Sequence, residues 1–239
     1  MEKPAFIQEF LHKAATADSS LTQDRLQAAA EFFYLLQQAN QIHNLTGFHT
    51  LDEFYTFHFC DTLHLFHHLE LNEDTVLTDI GTGSGIPGFL LKLLYPPMQV
   101  CLVESIQKKI QFLTEMREHF RLERCHLLAD RAETLAHLPS WREQSSIVVA
   151  RALSSLSSAL ELTCPFARIG GVIALPRGSR VDAFEQSQAE IPLGCVLQKE
   201  IHYSLPQRDT RHRLLIYKKM EKTPVKYPRK PGQIKKRPL

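Results

Sequence analysis

The residues with the most chemistry to offer lie in one run. Val76-Leu77-Thr78-Asp79-Ile80 leads directly into Gly81-Thr82-Gly83-Ser84-Gly85-Ile86-Pro87-Gly88. An apolar strand that ends in closely spaced glycines lets the backbone turn sharply and lets a ligand come close. Pro87 suits the first turn of a following helix, where its missing N–H would have no partner anyway. Glu104 closes the next apolar run, 25 residues after Asp79. That is where an acidic side chain reaches ribose hydroxyls. Asp79 points to the kind of ligand. A carboxylate at the strand end repels a pyrophosphate and favours a ligand with an ammonium and a sulfonium, which describes S-adenosylmethionine. Gly83-x-Gly85-x-x-Gly88 also satisfies the dinucleotide fingerprint, so a nicotinamide cofactor and a purely structural turn stand as the alternatives.

The surrounding pattern must hold this loop. From residue 75 short apolar runs alternate with helical stretches. Strands are expected near 75–80, 99–104, 124–129, 146–150, 170–176, 195–202 and 212–218, and helices near 87–95, 106–120, 154–168 and 181–190. This alternation predicts an α/β fold: a Rossmann-like, seven-stranded, mostly parallel sheet. No helix separates the last two runs, so they should pair antiparallel. Residues 1–70 read as helical. Ser20-x-x-Gln23 and Thr50-x-x-Glu53 are both capping-box patterns, and the polar segment 40–49 reads as a loop. The expected organisation is a helical cap over 1–72, a catalytic domain over 73–219 and a flexible basic tail over 220–239.

The 239 residues carry a net charge of +2, but unevenly. Residues 218–239 hold nine basic residues and one acidic residue, a charge of +8, which leaves −6 for the rest. Four prolines and Gly232 in that tail oppose regular structure. A basic arm that neutralises phosphates and a merely solvated tail both fit, and Tyr227 among the charges could stack on a base. No run is long and apolar enough to span a membrane, and the N-terminus lacks a signal-peptide pattern. Five cysteines without a C-x-x-C pair suggest free buried thiols in a reducing cytoplasm. Six of the twelve histidines fall between His43 and His68. Without a cysteine or an H-E-x-x-H among them, no metal is expected.

The loop Asp79–Gly88, closed by Pro-Gly, resembles that of the small-subunit ribosomal RNA guanine-N7 methyltransferases, the RsmG or GidB family. Family-like elements follow in order: Asn44-Leu45-Thr46, His58-x-x-Asp61-x-Leu63, Glu104-Ser105 with Lys108-Lys109-x-x-Phe112-Leu113, Arg131-Ala132-Glu133, Ala150-Arg151-Ala152, Gly170-Gly171 and Tyr227–Gly232. The resemblance spans about residues 40–239. Departures are Ile86, where many members have Phe or Leu, and Thr62, where Ser is common. Residues 177–210 align poorly, so their role is left open.

The resemblance implies a class I fold that binds S-adenosylmethionine and methylates guanine N7 in 16S ribosomal RNA or the small subunit. A cytoplasmic monomer is expected. Gly81, Gly83 and Gly85 would pass under the methionine part, with Ile86 beside it. Asp79 would face the ammonium directly or through water, Glu104 the ribose, and the Ala132 and Glu133 backbone the adenine. Arg151 or Arg131 would hold guanine O6 or a phosphate, and Arg151 would border the cofactor. His58 and Asp61 would wall the cleft, with Asn44 and Thr46 at its entrance. The competing functions are a class I methyltransferase for another RNA, a protein or a small molecule, and a non-enzymatic nucleic-acid binder on the same fold.

Overall fold

The computed structural model describes residues 2–15, 18, 20–153, 155–178, 189–206 and 211–239. Two helices open the chain, α1 (Lys3–Ala14) and α2 (Gln23–His43). A third stretch runs unbroken from α3 (Leu51–Glu53) through a π-helical segment (Phe54–Cys60) into α4 (Asp61–His68). The strands are β1 (Val76–Ile80), β2 (Gln99–Val103), β3 (Cys125–Leu128), β4 (Ser145–Val149), β5 (Ala167–Arg177), β6 (Cys195–Ser204) and β7 (Arg211–Lys219). Between and after them lie α5 (Gly88–Leu94), α6 (Gln107–His119), α7 (Ala132–Leu135), α8 (Leu156–Thr163), α9 (Glu190–Leu193) and α10 (Pro231–Lys236).

The seven strands form one sheet in the order β3-β2-β1-β4-β5-β7-β6. β1 to β5 run parallel to one another, and β7 runs antiparallel to both β5 and β6. β1, β2 and β4 are buried along almost their whole length, as a sheet covered by helices on both sides requires. The order reverses at β1, so the C-terminal ends of β1 and β4 flank a crevice. Most of the expected helix near 181–190 lies outside the described residues.

One hydrophobic core joins the N-terminal helices to the sheet. Phe32 of α2 stacks on Phe89 of α5 with ring centres 5.0 Å apart, and Phe10 meets both Phe33 and Phe59. The Thr50–Glu53 capping box forms as expected: Thr50 Oγ1 accepts from the Glu53 N–H at 3.2 Å, and the Glu53 carboxylate accepts from the Thr50 N–H at 3.0 Å. The Ser20–Gln23 box does not form. Helix α2 starts only at Gln23, after Thr22, and the Ser20 N–H bonds the Asp18 carboxylate instead.

The tail also departs from expectation, because it is docked rather than free. Thr223 and Tyr227 are buried, and Arg229 pairs with Glu161 of α8 at 2.6 Å. Proline does not prevent the closing helix, since Pro231 occupies its first turn, where a missing N–H costs nothing. Among the described residues no helix is long and apolar enough to cross a membrane.

Candidate functional site

The glycine loop leaves β1 and crosses the end of β2, where the Gly81 and Thr82 N–H groups both donate to the Val103 carbonyl at 2.9 and 3.0 Å. Gly81, Gly83 and Gly85 all have positive φ, reaching 98° at Gly85, a region that glycine enters without steric cost. Gly88 serves a different purpose. A β-carbon there would lie 2.6 Å from both Asp79 Cβ and Leu102 Cδ2, so its role is to let α5 approach the strands.

Asp79 is fully buried beneath this loop. Its Oδ2 accepts from the Gly88 N–H at 2.8 Å, and the Thr82 hydroxyl lies near the carboxylate and favours its charged form. The carboxylate therefore lies beneath the loop and pins it from below. Burial pushes its pKa up to about 6, against the opposing pull of the Thr82 hydroxyl, the Gly88 N–H and the Arg151 charge.

This shift gives a pH signature. The folded-state pKa exceeds the ordinary value of 3.8, so the folded state holds the proton more tightly than the unfolded chain. Stability must then fall as pH rises from about 4 through about 6. The shift is worth about 3 kcal/mol at neutral pH. In the ligand-free protein Asp79→Asn, which still accepts from Gly88, is expected to lose this dependence. Urea unfolding of both proteins from pH 4.5 to 7.5 measures it. A stability difference that stays constant across that range would contradict the assignment.

Glu104 closes the other side of the loop. Its Oε2 accepts from the Gly83 N–H at 3.1 Å, and Oε1 from the Ser105 and Ile106 N–H groups at 2.7 and 2.8 Å. It helps line a cavity of about 190 Å³ with Ile80, Gly81, Arg131, Ala132 and Glu133. The Arg131 side chain is exposed at this cavity. Ile86 lies in the hydrophobic core and lines neither this cavity nor the next.

A second cavity of about 390 Å³ adjoins the first, and Leu153 lines both. Arg151 and Asp61 line it together with Phe48 and Phe57, whose rings stack 5.1 Å apart. The Arg151 guanidinium donates to the Phe57 carbonyl (2.7 Å), Asp61 Oδ2 (3.2 Å) and His58 Nδ1 (2.6 Å). The Tyr203 hydroxyl donates to the other Asp61 oxygen. With Nδ1 accepting, the neutral imidazole carries its proton on Nε2, which has no partner. Burial, then the Arg151 charge, holds His58 well below its ordinary pKa.

The structure thus separates residues that the sequence placed together. Arg151 lines the second cavity and not the first, whereas Arg131 lines only the first. Asn44 and Thr46 line neither. Asn44 is the exposed left-handed residue that ends α2, with φ of 47°. The Thr46 N–H is bound to the Asn40 side chain. Asn40, which the sequence reading missed, turns this loop through Leu45, Thr46 and Phe48. Tyr203 was missed because 142 residues separate it from Asp61 and no local motif links them. Among the described residues no three His, Cys, Asp or Glu side chains gather as a metal site.

This sheet order, with a glycine loop after β1 and a carboxylate after β2, defines a class I methyltransferase fold. Solved structures share it. M. jannaschii TYW2 in complex with AdoMet superposes with a TM-score of 0.54 at 13% identity, covering 67% of this chain and 77% of that one. The YcgJ protein from Bacillus subtilis gives 0.55 at 11% identity, covering 69% and 100%. The profile of the rRNA small subunit methyltransferase G family matches residues 25–216. Ribosomal RNA small subunit methyltransferase G of Alkaliphilus metalliredigens is 36% identical over 209 residues, 86% of this chain and 87% of its own. The Bacillus velezensis protein of that name is 32% identical over 235 residues, 98% of each chain. The chain belongs to the rRNA small subunit methyltransferase G family.

Proposed function

We propose that the protein transfers a methyl group from S-adenosylmethionine to N7 of a guanine in small-subunit ribosomal RNA. The observation that carries this reading is the pair of cavities meeting at Leu153. One is bordered by Gly81, at the start of the glycine loop, and Glu104, the other by Arg151 and an aromatic pair. The lining of the first suits the cofactor: the Glu104 carboxylate stands beside the apolar Ile80, Val103 and Ala132. When bound, S-adenosylmethionine supplies an electrophilic methyl carbon on a sulfonium.

Gly81, Gly83 and Gly85 form the bed, Glu104 is the carboxylate for the ribose, and the Ala132 and Glu133 backbone flanks the adenine. Asp79 acts through the loop that it pins. Arg131 stands ready for a phosphate at the rim. Guanine N7 has a lone pair and no proton, so the site needs no general base. Its work is positioning and electrostatics. Three N–H groups of Arg151 are engaged, and two of its five remain for guanine O6. The methylated base is cationic. Asp61, 3.2 Å from the guanidinium, offsets the Arg151 charge, so the arginine can border the pocket without repelling the product. His58 stays neutral for the same purpose. Asn44 and Thr46 act only through the loop that presents Phe48.

Residues 1–72 serve as the cap and 73–219 as the transferring unit. The five buried free thiols suit a reducing cytoplasm, where the protein works as a monomer. Purified protein should place labelled methyl groups in small-subunit rRNA, with chain cleavage specific to 7-methylguanine marking the site. Absence of label, or label on another atom, would refute the proposal. The base must leave its stack to enter the pocket, and a ring beside it is worth about 1–3 kcal/mol. Phe48→Ala should therefore lower kcat/KM for rRNA about tenfold or more. Phe48→Tyr should restore it, and cofactor affinity should not change.

A further inference from the structure

Glu161 of α8 is fully buried, and its carboxylate is occupied by one residue of the C-terminal segment. Arg229 donates its backbone N–H (2.8 Å) and Nε–H (2.8 Å) to Oε1, and its Nη2 (2.6 Å) to Oε2. A buried carboxylate is tolerated only with such partners. Arg142 gives a second anchor. Its guanidinium donates to the carbonyls of Thr223 (2.7 Å), Pro224 (3.2 Å) and Tyr227 (3.0 Å), and to Ala136 of its own loop (2.9 Å). Glu143 accepts the Thr223 N–H, and His137 meets the Pro228 carbonyl at 3.0 Å. The segment therefore follows a track made by the residues after α7 and by α8.

The side left outside is basic. Lys222, Lys226, Lys230, Lys236 and Arg237 are exposed, with Glu221 the one acidic residue among them. Lys226 lies over the Tyr227 ring. Among the described residues the other four form no ion pair. The track starts beside the first cavity, since Ala132 and Glu133 of α7 and Leu162 of α8 line it.

We infer that residues 222–237 form a docked basic surface that binds the phosphate backbone of the substrate RNA on the flank of the cofactor cavity, with Glu161 and Arg142 as its positioning residues. This rests on the RNA substrate proposed above. A free arm must be ordered at the moment of binding, whereas a docked one already is. Affinity should then depend on the anchors as well as on the number of charges.

The test uses the full chain and transcribed small-subunit rRNA, with Kd measured from about 50 to 200 mM KCl. The combined variant Lys222→Gln, Lys230→Gln, Lys236→Gln, Arg237→Gln should bind at least tenfold more weakly. Its salt slope should drop by about 0.7–0.9 for each phosphate that is no longer neutralised, and S-adenosylmethionine affinity should hold within twofold. Glu161→Gln makes the protein more positive by one charge, yet it should weaken RNA binding at least fivefold and open the Arg229–Lys230 bond to trypsin. If that variant does not fold, Arg142→Met tests the same point. A four-site variant with the parental salt slope overturns the inference. So does a released segment that still binds RNA at full strength, or a preference for phosphatidylglycerol vesicles over RNA. Methyl transfer is scored separately. A parent protein that binds RNA through this surface but methylates nothing refutes the proposed function alone.

Discussion

Arg151→Ala is expected to reduce kcat/KM on small-subunit rRNA by about 10²–10³-fold, the usual effect of removing one preorganised donor from a reacting site. The same change should destabilise the fold by about 3 kcal/mol. Asp61 would keep only the Tyr203 hydroxyl, and a buried carboxylate stripped of its cation is costly. The His58 Nδ1 and the Phe57 carbonyl would lose their donor too. Because Arg151 does not line the first cavity, S-adenosylmethionine should bind the variant with nearly unchanged affinity. Arg151→Lys keeps the charge but not the planar fork, and one ammonium cannot serve three acceptors in divergent directions. It should recover the stability in part and the turnover hardly at all. Calorimetric cofactor titration alongside single-turnover kinetics separates these effects. Equal loss of cofactor affinity and turnover would show that Arg151 works in the first cavity instead.

Gly88→Ala should have an effect of similar size by a different route. The added methyl has no room: it would meet Asp79 Cβ and Leu102 Cδ2 at 2.6 Å and Asp79 Oδ2 at 2.8 Å. These are parts of the buried strands and cannot swing aside. Forcing α5 outward stretches the Gly88–Asp79 hydrogen bond and disturbs the loop. A loss of about 3 kcal/mol, at the upper end for overpacking, and at least a hundredfold loss of cofactor affinity are expected. Gly83→Ala is the control. Its nearest neighbour, the Lys109 ammonium, lies 3.8 Å away at the end of a flexible chain. The cost there is the positive φ alone, about 1–2 kcal/mol. Thermal melts and cofactor binding of the two variants decide the matter. Equal effects would mean that α5 can shift to admit the methyl, so that close packing does not set the requirement at Gly88.

The parts of this protein that could be read from its sequence are those determined locally. The strands announce themselves as apolar runs, and β1 could be placed because it delivers Asp79 into the glycines. Glu104 followed from its spacing along two parallel strands. The tail was misread because its composition was counted without its partners. Four prolines and nine cations suggest a free arm, but the residues that hold it lie 68 and 81 positions earlier, at Glu161 and Arg142. The same limit hid Tyr203, whereas Asn40 was missed although its partners are local. Asn44 and Thr46 were drawn into the site by their motif, although one caps a helix and the other is tied to Asn40. The π-helical segment has no local signature, yet it sets the angle at which Phe57 and His58 meet Arg151 and Asp61.

The stack of Phe32 on Phe89 has a consequence for the whole chain. The Phe32 ring edge lies 3.5 Å from where a Gly85 side chain would begin, so the ligand loop rests on the second N-terminal helix. Densely filled interiors pass on strain instead of absorbing it. A loop that tightened around the proposed cofactor would press on α2, the helix that ends at the turn before Phe48. The floor proposed for one reactant and the wall proposed for the other would then belong to one packed unit.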